Sequence, residues 1–138
     1  MKIVLDTNVL VSGLLQAFGP SGQIVRLVAS GDLVLYLDPR ILAEYQEVLL
    51  REKFGFDPER VEVLLEEIRA SGIPVSARPL AIRLPDPDDE PFLEVAVTGG
   101  AQCLVTGNIK HYPAEARSGV EVLSPRSFIE RYRAQSES

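Results

Sequence analysis

The sequence predicts an α/β protein of three layers, with a mainly parallel central sheet of four to five strands held between helices. Three observations carry this expectation. Short apolar runs without polar alternation, Ile3-Val4-Leu5 and Leu104-Val105 among them, read as strands buried on both faces. Longer segments between them repeat apolar residues at a spacing of three and four, the period of a helix. Strand and helix then alternate along most of the chain, the order that builds parallel sheets. A length of 138 residues suits one domain and allows about two thirds of the unfolded surface to be buried. Residues 1–133 are assigned to that domain, and residues 134–138 to a tail expected to fray.

The elements follow in order. Residues 2–5 form the first strand, stopped by Asp6, and residues 9–15 look helical. Pro20-Ser21 opens a second helix, because proline in a first turn loses no hydrogen bond. Ile24, Val25, Leu27 and Val28 give that helix its apolar face, and Gly31 stops it. Residues 33–37 are the second strand, and Asp38-Pro39 starts a helix through about residue 50. Asp57-Pro58 starts another, with Val61, Leu64, Leu65 and Ile68 on one face and Gly72 at its end. A weak third strand is expected from Val75, and residues 80–88, rich in proline and acid, read as a loop. Pro91 falls in the first turn of the next helix. Residues 102–106 and 120–123 are the remaining strands, and Ser124-Pro125 opens a last helix through about residue 133.

A net charge of −6 argues against simple electrostatic binding of nucleic acid. It is compatible with a metal-dependent nuclease, whose acids hold cations that in turn face the phosphates. No segment approaches the ~20 apolar residues of a membrane helix. Asp6 also cuts the N-terminal apolar run short of a signal peptide, so a cytoplasmic location without a membrane partner is expected. Cys103 is the only cysteine and lies in an apolar run, where it is expected buried and reduced. No G-x-G-x-x-G or G-x-x-x-x-G-K-[ST] supports a nucleotide site. A Ser-His-Asp triad is unsupported as well, with no G-x-S-x-G and a single histidine.

The acids carry more. Asp6 stands where a parallel strand stops, on the side where open α/β sheets bind their ligands. At about 100° per residue, Asp89 shares a helical stripe with Phe92, Leu93 and Ala96. A charge there is costly unless it caps the helix, is paired, or holds a metal. Asp86, Asp88, Asp89 and Glu90 crowd five positions, a concentration of like charge that a cation would relieve. In the helix after Pro39, Glu44 lies at the edge of an apolar arc made by Ile41, Leu42, Tyr45, Val48 and Leu49, with Glu47 further toward solvent. Glu44 either faces a cleft at the sheet's rim or pairs with Arg40 or Arg51. Val105-Thr106-Gly107-Asn108 ends a buried strand in side-chain oxygens that face the same way as Asp6, or else is a plain turn. Thr7 and Asn8 either cap the first helix or orient Asp6. An oxygen-only donor set with one histidine and no cysteine cluster favours Mg²⁺ or Mn²⁺, one or two ions, over zinc. His111, beside Tyr112-Pro113, reads as a surface or loop residue.

Four stretches, V-L-D-T-N-V-L, I-L-A-E-Y-Q-E-V-L, D-P-D-D-E-P-F-L-E-V-A and L-V-T-G-N-I-K-H-Y-P, resemble in their order the motifs of the PIN-domain family, over nearly the whole chain. The likeness extends to small prokaryotic PIN proteins assigned as toxins of toxin–antitoxin pairs, relatives of the VapC-type ribonucleases. It implies a PIN-like fold and a metal-dependent nuclease, usually an endoribonuclease hydrolysing phosphodiester bonds. It places the catalytic and metal-binding acids at Asp6, Glu44 and Asp89, with Asp88 the register alternative. Thr7, Asn8 and Thr106 match supporting polar residues. Asn108 stands where the family often has a fourth acid; it is a candidate metal ligand through its amide oxygen but brings no charge, so a weaker second-metal site, or a single ion, is expected, with Asp86 a compensating acid. Lys110 is a candidate contact to the RNA backbone. An antitoxin partner and a homodimer are also implied. Two other readings stay open: a non-catalytic PIN-like interaction module with a degraded site, and a phosphatase using Asp6 as nucleophile. The second lacks an acid two residues on, where the chain has Asn8.

Overall fold

The computed structural model describes residues 1–137; Ser138, the end of the expected tail, lies outside the described residues. The elements are β1 (Lys2–Leu5), α1 (Thr7–Leu15), α2 (Pro20–Ala29), β2 (Val34–Leu37), α3 (Pro39–Leu49), α4 (Pro58–Ser71), β3 (Ile73–Pro74), α5 (Glu90–Gly99), β4 (Leu104–Val105), β5 (Val122–Leu123) and α6 (Pro125–Glu137). Short 3₁₀ turns cover Glu52–Phe54, Pro87–Asp89, Ile109–His111 and Ala114–Ala116.

Among the described residues the five strands form one all-parallel sheet in the order β3-β2-β1-β4-β5. Helices cover it to give a three-layer α/β/α fold, with α5 packed on β1, β2 and β4 and α2 on α1, α4 and α6. Ile3, Val4, Leu5, Leu104 and Val105 are buried, as continuous apolar strands predict. Each such side chain contributes about 1.5–3 kcal/mol by leaving water. Cys103 is free and buried, and desolvation pushes its thiol up to about 12.

The boundaries of β3, β4, β5 and α6 differ from the sequence reading. The third strand is Ile73–Pro74, before Val75; the Val75 N–H still donates to the Leu37 carbonyl at 2.8 Å. Pro74 is tolerated because β3 is an edge strand. The last two strands shrink to two residues each, since pairing and not apolarity sets their ends. Helix α6 runs on past residue 133 to Glu137. Gly31 stops α2 in a left-handed conformation (φ +84°). Gly72 ends α4 for a different reason: a Cβ there would sit 2.3 Å from Leu37 Cδ1.

Strand order fixes where a ligand can enter. From β1 the chain steps outward through β2 to β3, then returns across the sheet to β4 and β5 on β1's other side. The direction reverses between β1 and β4, so a crevice opens beyond their carboxyl ends. Asp6 follows β1 there, and Thr106 follows β4.

Candidate active site

Backbone pairing delivers these two residues side by side. Leu5 pairs with Val105 across the sheet, and one residue on the Asp6 N–H donates to the Val105 carbonyl at 2.9 Å. The Thr106 N–H donates to the Leu123 carbonyl at 3.0 Å. The Thr106 hydroxyl then donates to Asp6 Oδ2 at 2.9 Å. Its direction is fixed by what surrounds it: the Asn108 N–H donates to Thr106 Oγ1 at 3.0 Å, and the Asn8 amide reaches it more weakly at 3.5 Å. With its lone pairs taken, the hydroxyl has one proton to give, and Asp6 receives it. Asn8 is itself oriented by the Gly107 N–H, which donates to its Oδ1 at 2.8 Å.

A second donor reaches the same carboxylate oxygen. Tyr112 is fully buried, and its hydroxyl donates to Asp6 Oδ2 at 2.9 Å. No donor reaches Asp6 Oδ1 among the described residues. No buried side-chain oxygen or nitrogen lacks a partner there, so Oδ1 is the atom that meets solvent.

The other two acids repeat the pattern. The Thr7 hydroxyl donates to Glu44 Oε2. Arg40 is occupied with Asp38 and Glu94, both at 2.7 Å, and Arg51 with Glu47 at 2.8 Å. The alternative of a Glu44–Arg pair is therefore not what forms. Asp89 occupies the N-cap position of α5 but makes no capping bond; its Oδ2 lies 3.1 Å from His111 Nδ1. Thr7 and Asn8 do not cap α1 with their side chains either. They are spent on Glu44 and on the Asn8–Thr106–Asp6 chain.

The four crowded acids separate into different jobs, which corrects the picture of one cluster awaiting a cation. Asp86 caps the turn ahead of α5 by accepting the Asp88 N–H at 2.9 Å. Glu90 is buried and braces the loop: Arg83 Nε and Nη2 donate to it at 3.0 and 3.2 Å, and the Leu84 N–H at 3.0 Å. Arg83 holds the Glu90 carboxyl below its usual range. Asp88 is exposed, and Asp89 alone turns inward.

Asp89 and Glu44 both feel the charge of Asp6. Desolvation raises the Asp89 carboxyl from 3.8 to about 6, with the charge of Asp6 adding to the rise and His111 opposing it. Desolvation raises the Glu44 carboxyl as well; the Thr7 bond opposes this, while the charges of Asp6, Asp88 and Glu47 reinforce it. Burial beside Asp6 pushes the hydroxyls of Tyr45 and Tyr112 far above their ordinary range. Among the described residues no Lys or Arg forms an ion pair with Asp6, Glu44 or Asp89.

In donor chemistry the residues fit a hard divalent cation: each acid keeps one oxygen without a protein donor, burial raises the Asp89 and Glu44 carboxyls, and His111 beside Asp89 is the one basic side chain paired with any of the three among the described residues. In distance they do not form a ready-made triad. Among the described residues no three His, Cys, Asp or Glu side chains lie close enough to hold an ion between them. Asn108 is exposed, its backbone φ is an ordinary −129°, and it enters the network through its N–H. With Lys110, His111 and Ser124 it lines an open cavity of about 380 Å³ beside the crevice.

Sequence reasoning missed Tyr112 as a partner of Asp6 and missed the contact of His111 with Asp89. A buried tyrosine needs a partner for its hydroxyl, but that rule names no partner, and neither residue lies on a periodic element.

Comparisons with known proteins agree with this architecture. The family model of the PIN domain matches residues 2–110. The uncharacterized protein MJ1680 of Methanocaldococcus jannaschii is 25% identical over 142 residues, covering 96% of this chain and 92% of that protein. Among solved structures, VapBC2 from Rickettsia felis bound to a DNA fragment from its promoter superposes with a TM-score of 0.58 at 17% identity, over 90% of this chain and 98% of that one. FitAB bound to an IR36 DNA fragment gives a TM-score of 0.58 at 19% identity, over 91% and 95%.

Proposed function

The chain belongs to the PIN domain family, and from that premise we propose that it is a divalent-metal-dependent nuclease that cleaves RNA, acting as the toxin of a toxin–antitoxin pair. One observation supports this most. Three acids beside the reversal point of the sheet each have one oxygen held by a protein donor and the other without one: Asp6 by Thr106 and Tyr112, Glu44 by Thr7, Asp89 by His111. A purely structural carboxylate would be expected to pair with a Lys or Arg, as Glu90 does with Arg83.

Asp6, Glu44 and Asp89 would hold Mg²⁺ or Mn²⁺, in part through waters, which Mg²⁺ keeps readily. When bound, the ion supplies an activated water for in-line attack on the phosphodiester and offsets charge on the phosphate oxygens. The chain's own residues do the rest. The Asn8–Thr106 chain fixes the Asp6 carboxylate, Thr7 fixes Glu44, and Lys110 places a cation beside the crevice for the RNA backbone. Asp86 and Asp88 add negative potential at its rim. An antitoxin protein and a second copy of the chain are the proposed partners.

The test is cleavage of mixed RNA with and without Mn²⁺, run beside Asp6→Asn. The wild type is expected to cut only with the metal. The variant should lose more than about 100-fold, beyond what removal of a supporting residue costs. A contaminating ribonuclease would ignore the substitution. A second reading, a binding module without catalysis, is favoured by Asn108 in place of a fourth acid and by the absence of a ready three-ligand cluster. It predicts no cleavage even at high Mn²⁺ and a tight complex with a basic peptide.

A further inference from the structure

Tyr112 meets the Asp6 carboxylate directly, and neither the sequence reading nor the comparisons give it a role. It follows the turn Ile109–His111, and its ring is sealed from solvent. The Arg117 Nε donates to its carbonyl at 2.7 Å, which fixes the backbone that carries the ring. Its hydroxyl proton goes to Asp6 Oδ2, the oxygen already receiving the Thr106 hydroxyl. Two donors on Oδ2 leave Oδ1 as the carboxylate oxygen without a protein donor among the described residues.

We propose that Tyr112 is a positioning residue that, with Thr106, latches Asp6 Oδ2 so that Asp6 presents Oδ1 alone to a divalent cation. The physical reason is rotational. A carboxylate held at one donor can pivot about that contact and offer either oxygen. One held by two hydroxyls from different elements has its plane and its free oxygen fixed. Tyr112 reaches from the loop after β4, and Thr106 from the end of β4 itself, so the two donors constrain different directions. Partners of this kind, bonded to a ligand and not to the metal, typically change metal affinity 10–100-fold when removed.

The inference rests on the proposed metal site, and the test separates the two. Mn²⁺ affinity is measured from the electron paramagnetic resonance signal of the free ion, for wild type, Asp6→Asn, Tyr112→Phe and Tyr45→Phe, with the fold of each checked by circular dichroism. Tyr45→Phe is the control: its fully buried hydroxyl donates to the Leu5 carbonyl at 2.6 Å, next to Asp6 but not on its carboxylate. Tyr112→Phe keeps the ring and is expected to weaken Mn²⁺ binding tenfold or more, while Tyr45→Phe stays within about threefold. Should Tyr112→Phe fail to fold, Thr106→Val removes the other donor to the same oxygen and is expected to show the same loss. Unchanged affinity in the latch variant, or equal losses in Tyr112→Phe and Tyr45→Phe, would overturn the latch while leaving the metal site standing. Wild type that binds Mn²⁺ no better than Asp6→Asn would overturn both.

Discussion

Asp89 gives up the usual reward of its position. At the start of α5 it could satisfy a first-turn N–H, yet its side chain turns to His111 and toward the charge of Asp6. Its carboxyl is raised from 3.8 to about 6, so the folded chain holds that proton more tightly than the unfolded chain does. The stability this gives is present in full below about pH 4 and is lost as pH rises through about 6. Above that, the ionised acid strains the metal-free fold. Asp89→Asn is therefore expected to stabilise the metal-free protein by on the order of 1 kcal/mol at pH 7.5, the figure discounted for partial exposure, and by almost nothing near pH 4. Urea midpoints at the two pH values check this; a benefit of the same size at both would contradict it. Asp6, Glu44 and Asp89 were legible in the sequence because a carboxylate at a strand end or on an apolar stripe is chemically out of place. Glu90 was misread with its neighbours, since only the folded loop shows that Arg83 reaches it. Tyr112 and His111 were not legible because their partners lie 106 and 22 residues away and no local pattern links them.

Helix α3 shows how an element carries a site residue. Asp38 caps it by accepting the Ile41 N–H at 2.9 Å, and it also holds Arg40, which bridges to Glu94 on α5. Pro39 fixes the first turn, and Ile41, Tyr45 and Leu49 bury the inner face. Glu44 then falls between that face and solvent, within reach of Thr7. Removing the cap with Asp38→Ala is expected to cost about 1–2 kcal/mol. Asp38→Asn, which can still accept from Ile41, should cost less. Chemical denaturation of both variants checks this, and an unchanged midpoint in the alanine variant would contradict it. Helix starts were legible here because Pro20, Pro39, Pro58 and Pro125 each open one, where a missing N–H costs nothing. Strand ends were less legible. β3, β4 and β5 are two residues each, set by which carbonyl lies opposite and not by any apolar run.

Over the whole molecule the decisive feature is strand order. A parallel α/β class follows from alternation of strands and helices, but the order β3-β2-β1-β4-β5 does not, because each crossover can step to either side of the sheet. That order puts the reversal between β1 and β4, and so puts Asp6 beside Thr106. It also concentrates negative charge at one rim of a chain already at −6. If that rim holds a divalent cation, folding and metal binding are linked. The most direct measurement is thermal unfolding of wild type and Asp6→Asn with and without Mn²⁺. At about 100 times its dissociation constant, Mn²⁺ is expected to stabilise the wild type by about 2.7 kcal/mol. The variant should melt higher than wild type without metal and gain nothing when it is added. Equal gains from Mn²⁺ in the two proteins would contradict a cation held by Asp6, and the nuclease assignment with it.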